Sequence, residues 1–168
     1  MMIQTRRLRL QAMSERDADA AVALLTNDLV KQTYMLPDFS SPEQAYGLFS
    51  RICAMSHDEA RFVRGIYLGE DWIGMINDVG IEGKTIELGY ALLPEYHGQG
   101  YATEALTASI EAMFARGFEE VIAGAFPHNV ASMRVMEKSG MHRIERTDRV
   151  EYRGQCYDCT MYSISKDK

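Results

Sequence analysis

Between Ile86 and Ala105 the hydrophobic repeat of the chain changes period. Ile86, Leu88, Tyr90 and Leu92 alternate on one face of a strand. Pro94 ends that strand, because proline has no N–H for a ladder and holds its own φ. Gly98 and Gly100 then allow a sharp turn and a close approach to a ligand, with no Cβ in the way. From Tyr101 the repeat is helical, with Leu106, Ile110, Met113 and Phe114 returning at three- and four-residue steps. A strand, a glycine loop and a helix in that order aim the free N–H groups of the first helical turn into the loop. Such an end carries partial positive charge and suits phosphate.

The 168 residues suit one domain, expected over residues 1–168, with enough chain for a single sizeable core. No apolar run approaches the roughly 20 residues of a membrane span. Met1–Leu10 shows no signal-peptide apolar stretch; Arg6, Arg7 and Arg9 alternate with Leu8 and Leu10 as in a strand. A net charge of −6 with no basic block argues against nucleic acid as a partner, because phosphate contacts dominate that affinity. It favours a cationic substrate by long-range attraction. Three cysteines without framework spacing point to a reducing, cytoplasmic setting. Cys156 and Cys159 form a C-x-x-C, but on a strand residues three apart face opposite sides and no second ligand pair accompanies them. Ordinary thiols, and no metal, are the expectation.

The rest of the chain alternates between the two periods. Thr5–Met13 reads as a first strand. Ser14 and Asp17 open a helix lined by Ala18, Ala21, Val22 and Leu25. Ser41 caps a second helix, with Pro42 in its first turn, Gln44 completing a capping box, and Leu48, Phe49, Ile52 and Met55 as its stripe. Phe62–Leu68, Trp72–Ile81 and Thr85–Leu93 form an antiparallel meander. The helix Tyr101–Arg116 closes at Gly117, a short strand runs over Val121–Phe126, and a helix from Asn129 to Ser139 closes at Gly140. Two last strands, His142–Tyr152 and Cys156–Ile164, meet at Arg153-Gly154. The expected class is α+β: a mixed, mostly antiparallel sheet of about seven strands flanked by about four helices, with one parallel right-handed crossover.

Two phosphate-loop families compete for the glycine segment. A dinucleotide fingerprint needs a third glycine where Thr103 stands, and repeated βα units where this chain has a meander. A Walker loop needs Gly-Lys-Ser/Thr, which is absent.

His97-Gly98-Gln99-Gly100-Tyr101-Ala102 is similar to the Gln/Arg-x-x-Gly-x-Gly/Ala signature of the GNAT N-acetyltransferases. Asn129-Val-Ala-Ser132, running on to Glu137-Lys138-Ser-Gly140-Met141, resembles that family's second block. The opening Thr5-Arg-Arg-Leu-Arg-Leu with Glu15-Arg-Asp17, and the ending Arg153-Gly154 with Tyr157-Asp158, resemble the ribosomal-protein (RimJ/RimL-like) branch. The resemblance covers nearly the whole chain, in order.

It implies that acetyl-CoA is the co-substrate. Backbone groups of Gly98, Gln99, Gly100, Tyr101, Ala102 and Thr103 would hold its diphosphate, with His97 in place of the family's Gln or Arg. The backbone of Tyr90, Ala91 and Leu92 would pair with the pantetheine arm, which carries amides at peptide-like spacing. Asn129 would cap its helix or contact the coenzyme.

Transfer to an amine needs a base and a stabiliser for the departing thiolate. Many relatives use a tyrosine for the second task, where this chain has Met136. Ser132, one turn earlier, is the replacement candidate. The glutamate that some ribosomal-protein acetyltransferases place five residues before the asparagine is Gly124 here. Glu87 is the leading base, expected on the strand face opposite Ile86 and Leu88, among the small residues Gly89 and Ala91. His128 is a second candidate, its other reading being a surface-loop histidine.

The expected function is acetyl transfer to a primary amine, a protein N-terminus or a small molecule, directly in a ternary complex. A catalytically inactive acyl-CoA-binding module is the alternative, and a nucleotide-binding oxidoreductase a distant third. Neither a membrane nor a nucleic-acid partner is expected, and exposed strand edges leave a homodimer open.

Overall fold

The computed structural model describes residues 2–167. Eight strands occur among them: β1 (Ile3–Gln4), β2 (Leu8–Gln11), β3 (Val63–Leu68), β4 (Asp71–Glu82), β5 (Thr85–Leu92), β6 (Glu120–Ala125), β7 (His142–Tyr152) and β8 (Gln155–Ser165). Five α-helices accompany them: α1 (Ala18–Leu25), α2 (Asp28–Lys31), α3 (Pro42–Ser56), α4 (Tyr101–Ala115) and α5 (Val130–Lys138). The hydrogen-bonded strand order is β1-β2-β3-β4-β5-β6-β8-β7, and the β5–β6 pair is parallel. This is the expected α+β class, with one more strand and one more helix than the periodicity indicated.

The extra strand comes from the N-terminus. In place of one strand over Thr5–Met13, β1 and β2 form an antiparallel hairpin with Ile3 opposite Leu10. Thr5 makes its turn: its N–H donates to the Leu8 carbonyl at 2.9 Å and its Oγ1 accepts the Leu8 N–H at 3.0 Å. The extra helix, α2, is a single turn capped by Asn27, whose side chain accepts the Val30 N–H. At α3 the expected capping box is displaced. The Ser41 side chain makes no cap bond, and Gln44 Oε1 reaches past it to accept the Ser40 N–H at 2.9 Å.

The chain divides into two compact units. One comprises residues 2–77 with Tyr90–Ala105. Strands β1 to β3 and the first part of β4 lie in it, antiparallel throughout, with Leu8 opposite Leu68 and Val63 opposite Asn77. Its core gathers Leu24, Leu25, Phe49, Val63, Trp72 and Met75, with Leu48, Ile52 and Met55 packed alongside. Trp72 is therefore a core residue, its Nε1–H donating to Met13 Sδ at 3.3 Å.

The other unit comprises Asp78–Gly89 with residues 106–167. Its apolar interior includes Ile86, Leu88, Leu106, Met113, Val121 and Met141, all buried. Here β5 runs parallel to β6, with Ile86 opposite Val121 and Glu87 opposite Ile122. Strand β8 is antiparallel to both β6 and β7. The β7–β8 turn uses Arg153 and Gly154, both at positive φ (52° and 77°), the geometry that suits the right-handed twist of a two-residue hairpin. No described helix is long and apolar enough to cross a membrane.

Candidate active site

In the first unit, β5 ends at Leu92 and a 3₁₀ turn over Pro94–Tyr96 leads into the glycine loop. Gly98 and Gly100 have φ of +72° and +85°, conformations that a side chain resists. A Cβ at Gly98 would meet nothing within 4 Å, so its outer side is open. The first helical bond of α4 runs from the Glu104 N–H to the Gly100 carbonyl at 3.1 Å. The N–H groups of Tyr101, Ala102 and Thr103 thus precede the ladder and lack intrahelical acceptors. His97 is exposed, but its ring bonds back to the strand. Its Nε2–H donates to the Leu92 carbonyl at 2.8 Å, tying the loop to the end of β5.

The N-terminal hairpin grips this loop. Glu104, in the first turn of α4, accepts from Thr5 Oγ1 (2.6 Å), the Arg7 N–H (2.7 Å) and Arg7 Nε (2.7 Å). Arg7 Nη1 donates to the Gln99 carbonyl at 3.0 Å, and its guanidinium lies 4.5 Å from the centre of the Tyr101 ring. Burial acts to raise the pKa of Glu104, but the hydrogen bonds from Thr5 and Arg7 outweigh it, so this carboxylate stays ionised more readily than a free one.

Tyr90 is half-buried, and Ala91 and Leu92 are buried. The Ala91 carbonyl oxygen sits where a side chain on Gly74 would stand, so the glycine lets β4 and β5 come close. Ala91 belongs to the apolar core with Trp72 and Met75. This corrects the expectation that it shares an open face with Glu87. The in–out alternation of β5 breaks after Gly89, and only Glu87 and Gly89 stay half-buried as expected.

Glu87 lies in the second unit. Burial pushes its carboxyl pKa up, the Asp148 charge pushes it further, and Arg146 opposes both. Arg146 and Asp148 form a two-point ion pair on β7, with Nε–Oδ1 at 2.8 Å and Nη2–Oδ2 at 3.0 Å. A bulge interrupts the ladder here: Arg143 stands opposite Tyr162 and Thr147 opposite Thr160, so Ile144, Glu145 and Arg146 face Met161 alone. The Cys159 thiol, opposite Asp148 on β8, is held up in pKa by burial and then by the Asp148 and Glu87 charges. It is a weak nucleophile at neutral pH.

The second motif also lies in this unit. Asn129 caps α5, its Oδ1 accepting the Ser132 N–H at 3.2 Å, and Ser132 is half-buried in the first turn. Met136 is 1% exposed and acts as core. His128 is exposed and stacks on Phe126, with centroids 5.5 Å apart and planes 10° apart. Its surface-loop reading describes it better than a role as a shielded base. Among the described residues, no group of three or more His, Cys, Asp or Glu side chains could hold a metal ion. Cys156 and Cys159 are free thiols.

A model of the acetyltransferase (GNAT) domain family matches residues 7–142. The chain belongs to the GNAT acetyltransferase family. The GNAT chain is 30% identical over 173 aligned residues to an N-acetyltransferase described as uncharacterized, YoaA of Bacillus subtilis, covering 99% of this chain and 97% of that one. It is 32% identical to YkkB of the same organism, covering 82% and 83%. Its fold matches the crystal structure of a GNAT acetyltransferase from Bacillus anthracis, with a TM-score of 0.86, 24% identity and complete coverage of both chains. It also matches RimL, a ribosomal L7/L12 α-N-protein acetyltransferase solved with coenzyme A, with a TM-score of 0.84, 22% identity and 99% coverage of each.

Sequence reasoning missed four polar residues around these motifs. Arg7 and Glu104 are 97 positions apart, and no local pattern joins them. Arg146 and Asp148 read as ordinary exposed positions of an alternating strand, because no local pattern marks that their charges reach Glu87.

Proposed function

We propose that this GNAT chain is a cytoplasmic, acetyl-CoA-dependent N-acetyltransferase of the RimJ/RimL-like branch, with residues 1–168 acting as one domain. The acceptor is a primary amine, either a protein N-terminus or a small molecule. The observation that carries the reading is the glycine loop. Two positive-φ glycines and three N–H groups without intrahelical acceptors, at Tyr101, Ala102 and Thr103, form a cradle suited to a diphosphate. Gly98, Gln99 and Gly100 complete its backbone, while His97 serves by bracing it. The ladder to β6 covers Thr85–Glu87, and the backbone beyond it on β5, at Tyr90, Ala91 and Leu92, is assigned to the pantetheine amides. Asn129 holds the start of α5 and keeps its amide N–H for the coenzyme.

Glu87 is the base. An ammonium acceptor loses a proton to its carboxylate, directly or through a water, and the freed lone pair forms the C–N bond at the thioester carbonyl carbon. As that bond forms the C–S bond breaks, and Ser132 Oγ–H donates to the departing sulfur. The acceptor's second proton balances the thiol and the proton on Glu87 returns to solvent, so amide, free thiol and one proton are the products. Holding the reactants in line supplies much of the acceleration.

A second reading, an acyl-CoA-binding module without catalysis, is favoured by Met136 and Gly124. One of these is buried as core and the other has no side chain, at positions where relatives carry catalytic groups. One experiment separates the two. The purified protein is mixed with acetyl-CoA and a panel of peptide N-termini, amino acids, polyamines and aminoglycosides, and free thiol is followed. Amine-dependent thiol release supports the enzyme. A coenzyme-dependent rise in Tm without release supports the binding module, and neither response overturns both.

A further inference from the structure

The diphosphate cradle contains a contradiction. An anion is expected at the N-terminus of α4, yet Glu104 puts a carboxylate into the first turn of that helix. A bare carboxylate there would repel the diphosphate and cancel much of the helix-end charge. It is not bare. Three donors from the N-terminal hairpin converge on it, and the Arg7 guanidinium makes one of those bonds while a second arm holds the Gln99 carbonyl inside the loop. The third arm, Nη2, lies 3.2 Å from where a Cβ on Gly100 would be, so the cationic group flanks the loop backbone itself. The Arg7 side chain is 39% exposed and that of Glu104 is 16% exposed, so the cation is the more accessible partner.

We propose that Arg7 is a positioning residue for the coenzyme: it neutralises Glu104, pins the loop through the Gln99 carbonyl, and leaves the cradle with a net positive edge for the diphosphate. The inference rests on the glycine loop being the diphosphate site. A guanidinium suits the task better than an ammonium, because one planar group with fixed donors reaches the carboxylate, the carbonyl and the loop edge together. Glu104 is then the anchor that orients Arg7, and the Thr5 hydroxyl is the brace that orients Glu104.

The test is coenzyme A affinity by titration calorimetry at fixed ionic strength, with Tm measured alongside. Arg7→Ala should weaken coenzyme A about tenfold, the size expected for losing a close, partly screened charge. It should raise KM for acetyl-CoA while leaving kcat near the wild-type value. Arg7→Ala with Glu104→Gln should recover part of the affinity, because the uncompensated carboxylate goes too while the pin on the Gln99 carbonyl stays lost. Glu104→Gln alone keeps a side-chain oxygen to accept from Arg7, and the Gln99 carbonyl still holds the guanidinium, so it should bind coenzyme A as tightly as wild type or severalfold tighter, since an anion leaves an anion site. It also keeps the test alive where the alanine variant does not fold. A purely structural contact predicts a different pattern: lower Tm with unchanged coenzyme A affinity in Arg7→Ala, or weaker binding in Glu104→Gln. Either of these overturns the role of Arg7. Wild-type protein that fails to bind coenzyme A brings down the reading of the loop, and Arg7 with it. Wild-type binding with unaltered variants removes Arg7 alone.

Discussion

A Cβ on Gly124 would stand 2.6 Å from the sulfur of Met161, the residue opposite it across the β6–β8 ladder. Met161 is 1% exposed, so its side chain would have to shift within the packed interior to make room. The space that a side chain at position 124 would need is therefore already filled by its cross-strand neighbour. Gly124→Glu should lower stability by about 1–3 kcal/mol, as overpacking does, and should give no rate increase. Adding Met161→Ala should relieve part of that loss. Denaturant midpoints for the single and double variants check this; additive losses would show that the two side chains do not compete for one space.

Glu87→Gln should reduce kcat by about 10²–10⁴-fold, the usual contribution of a positioned base, with coenzyme A affinity unchanged. The same variant should be as stable as wild type at pH 7, or more so. The folded-state pKa of Glu87 is raised, so the stability linked to it is complete below the free value of about 4.3 and is lost as pH rises through the folded value. Glutamine has no such loss. Kinetics and thermal unfolding on one preparation test both halves, and an unchanged kcat would remove Glu87 from the mechanism.

The pH–rate profile should have an acid limb above the ordinary glutamate range, because only ionised Glu87 accepts a proton. Asp148→Asn removes the charge that pushes Glu87 up and leaves Arg146 without its two-point partner. Both effects favour the ionised carboxylate, so the limb should move to lower pH. A limb that stays in place, or moves upward, would separate the β7 pair from Glu87.

Ser132→Ala should lower kcat by about tenfold or more through the lost donor to the departing sulfur. Helix α5 should be little affected, because its cap is the Asn129 side chain bonded to the Ser132 backbone N–H, which alanine keeps. Acceptors do not change the chemistry of the leaving thiolate, so the deficit should be similar across amines. A normal rate with intact thermal stability would leave Ser132 as a helix residue only.

Tyr67→Phe probes the core of the first unit. The buried Tyr67 hydroxyl donates to Asp17 Oδ2 at 2.6 Å, and the same oxygen accepts the Ser14 N–H at 2.9 Å. Removing the phenol strips a buried carboxylate of one donor and should cost about 1–3 kcal/mol. Burial, followed by the bond to and the charge of Asp17, raises the Tyr67 pKa above the ordinary phenol value. Its contribution is thus complete below pH of about 10 and is lost as pH rises beyond that. The variant should show a shallower alkaline limb in its stability profile, measured by denaturant titration at pH 8 to 11.

The elements with strong local signals are legible in the sequence. The β5–α4 segment, the Gly117 and Gly140 helix ends, the Arg153-Gly154 turn and the α3 stripe all lie where periodicity and turn chemistry put them. The N-terminal hairpin was not legible, because Thr5–Met13 alternates without a glycine or proline and its turn is closed by a threonine hydroxyl that accepts the Leu8 N–H. The same limit applies to the site. The backbone cradle is written in residues that are contiguous in sequence, so Gly98, Gly100 and the helix start were readable together.

By itself, the sequence determined the class of fold, the place of the glycine loop and the family, because each depends on interactions among residues a few positions apart. Only the tertiary structure decided the electrostatics around those motifs. It brought Arg7 to Glu104, put the Arg146–Asp148 pair into the field of Glu87, and filled the space beside Gly124 with Met161. Charge and steric exclusion act through space over a few ångströms, and a linear sequence does not encode which distant side chains will share those ångströms.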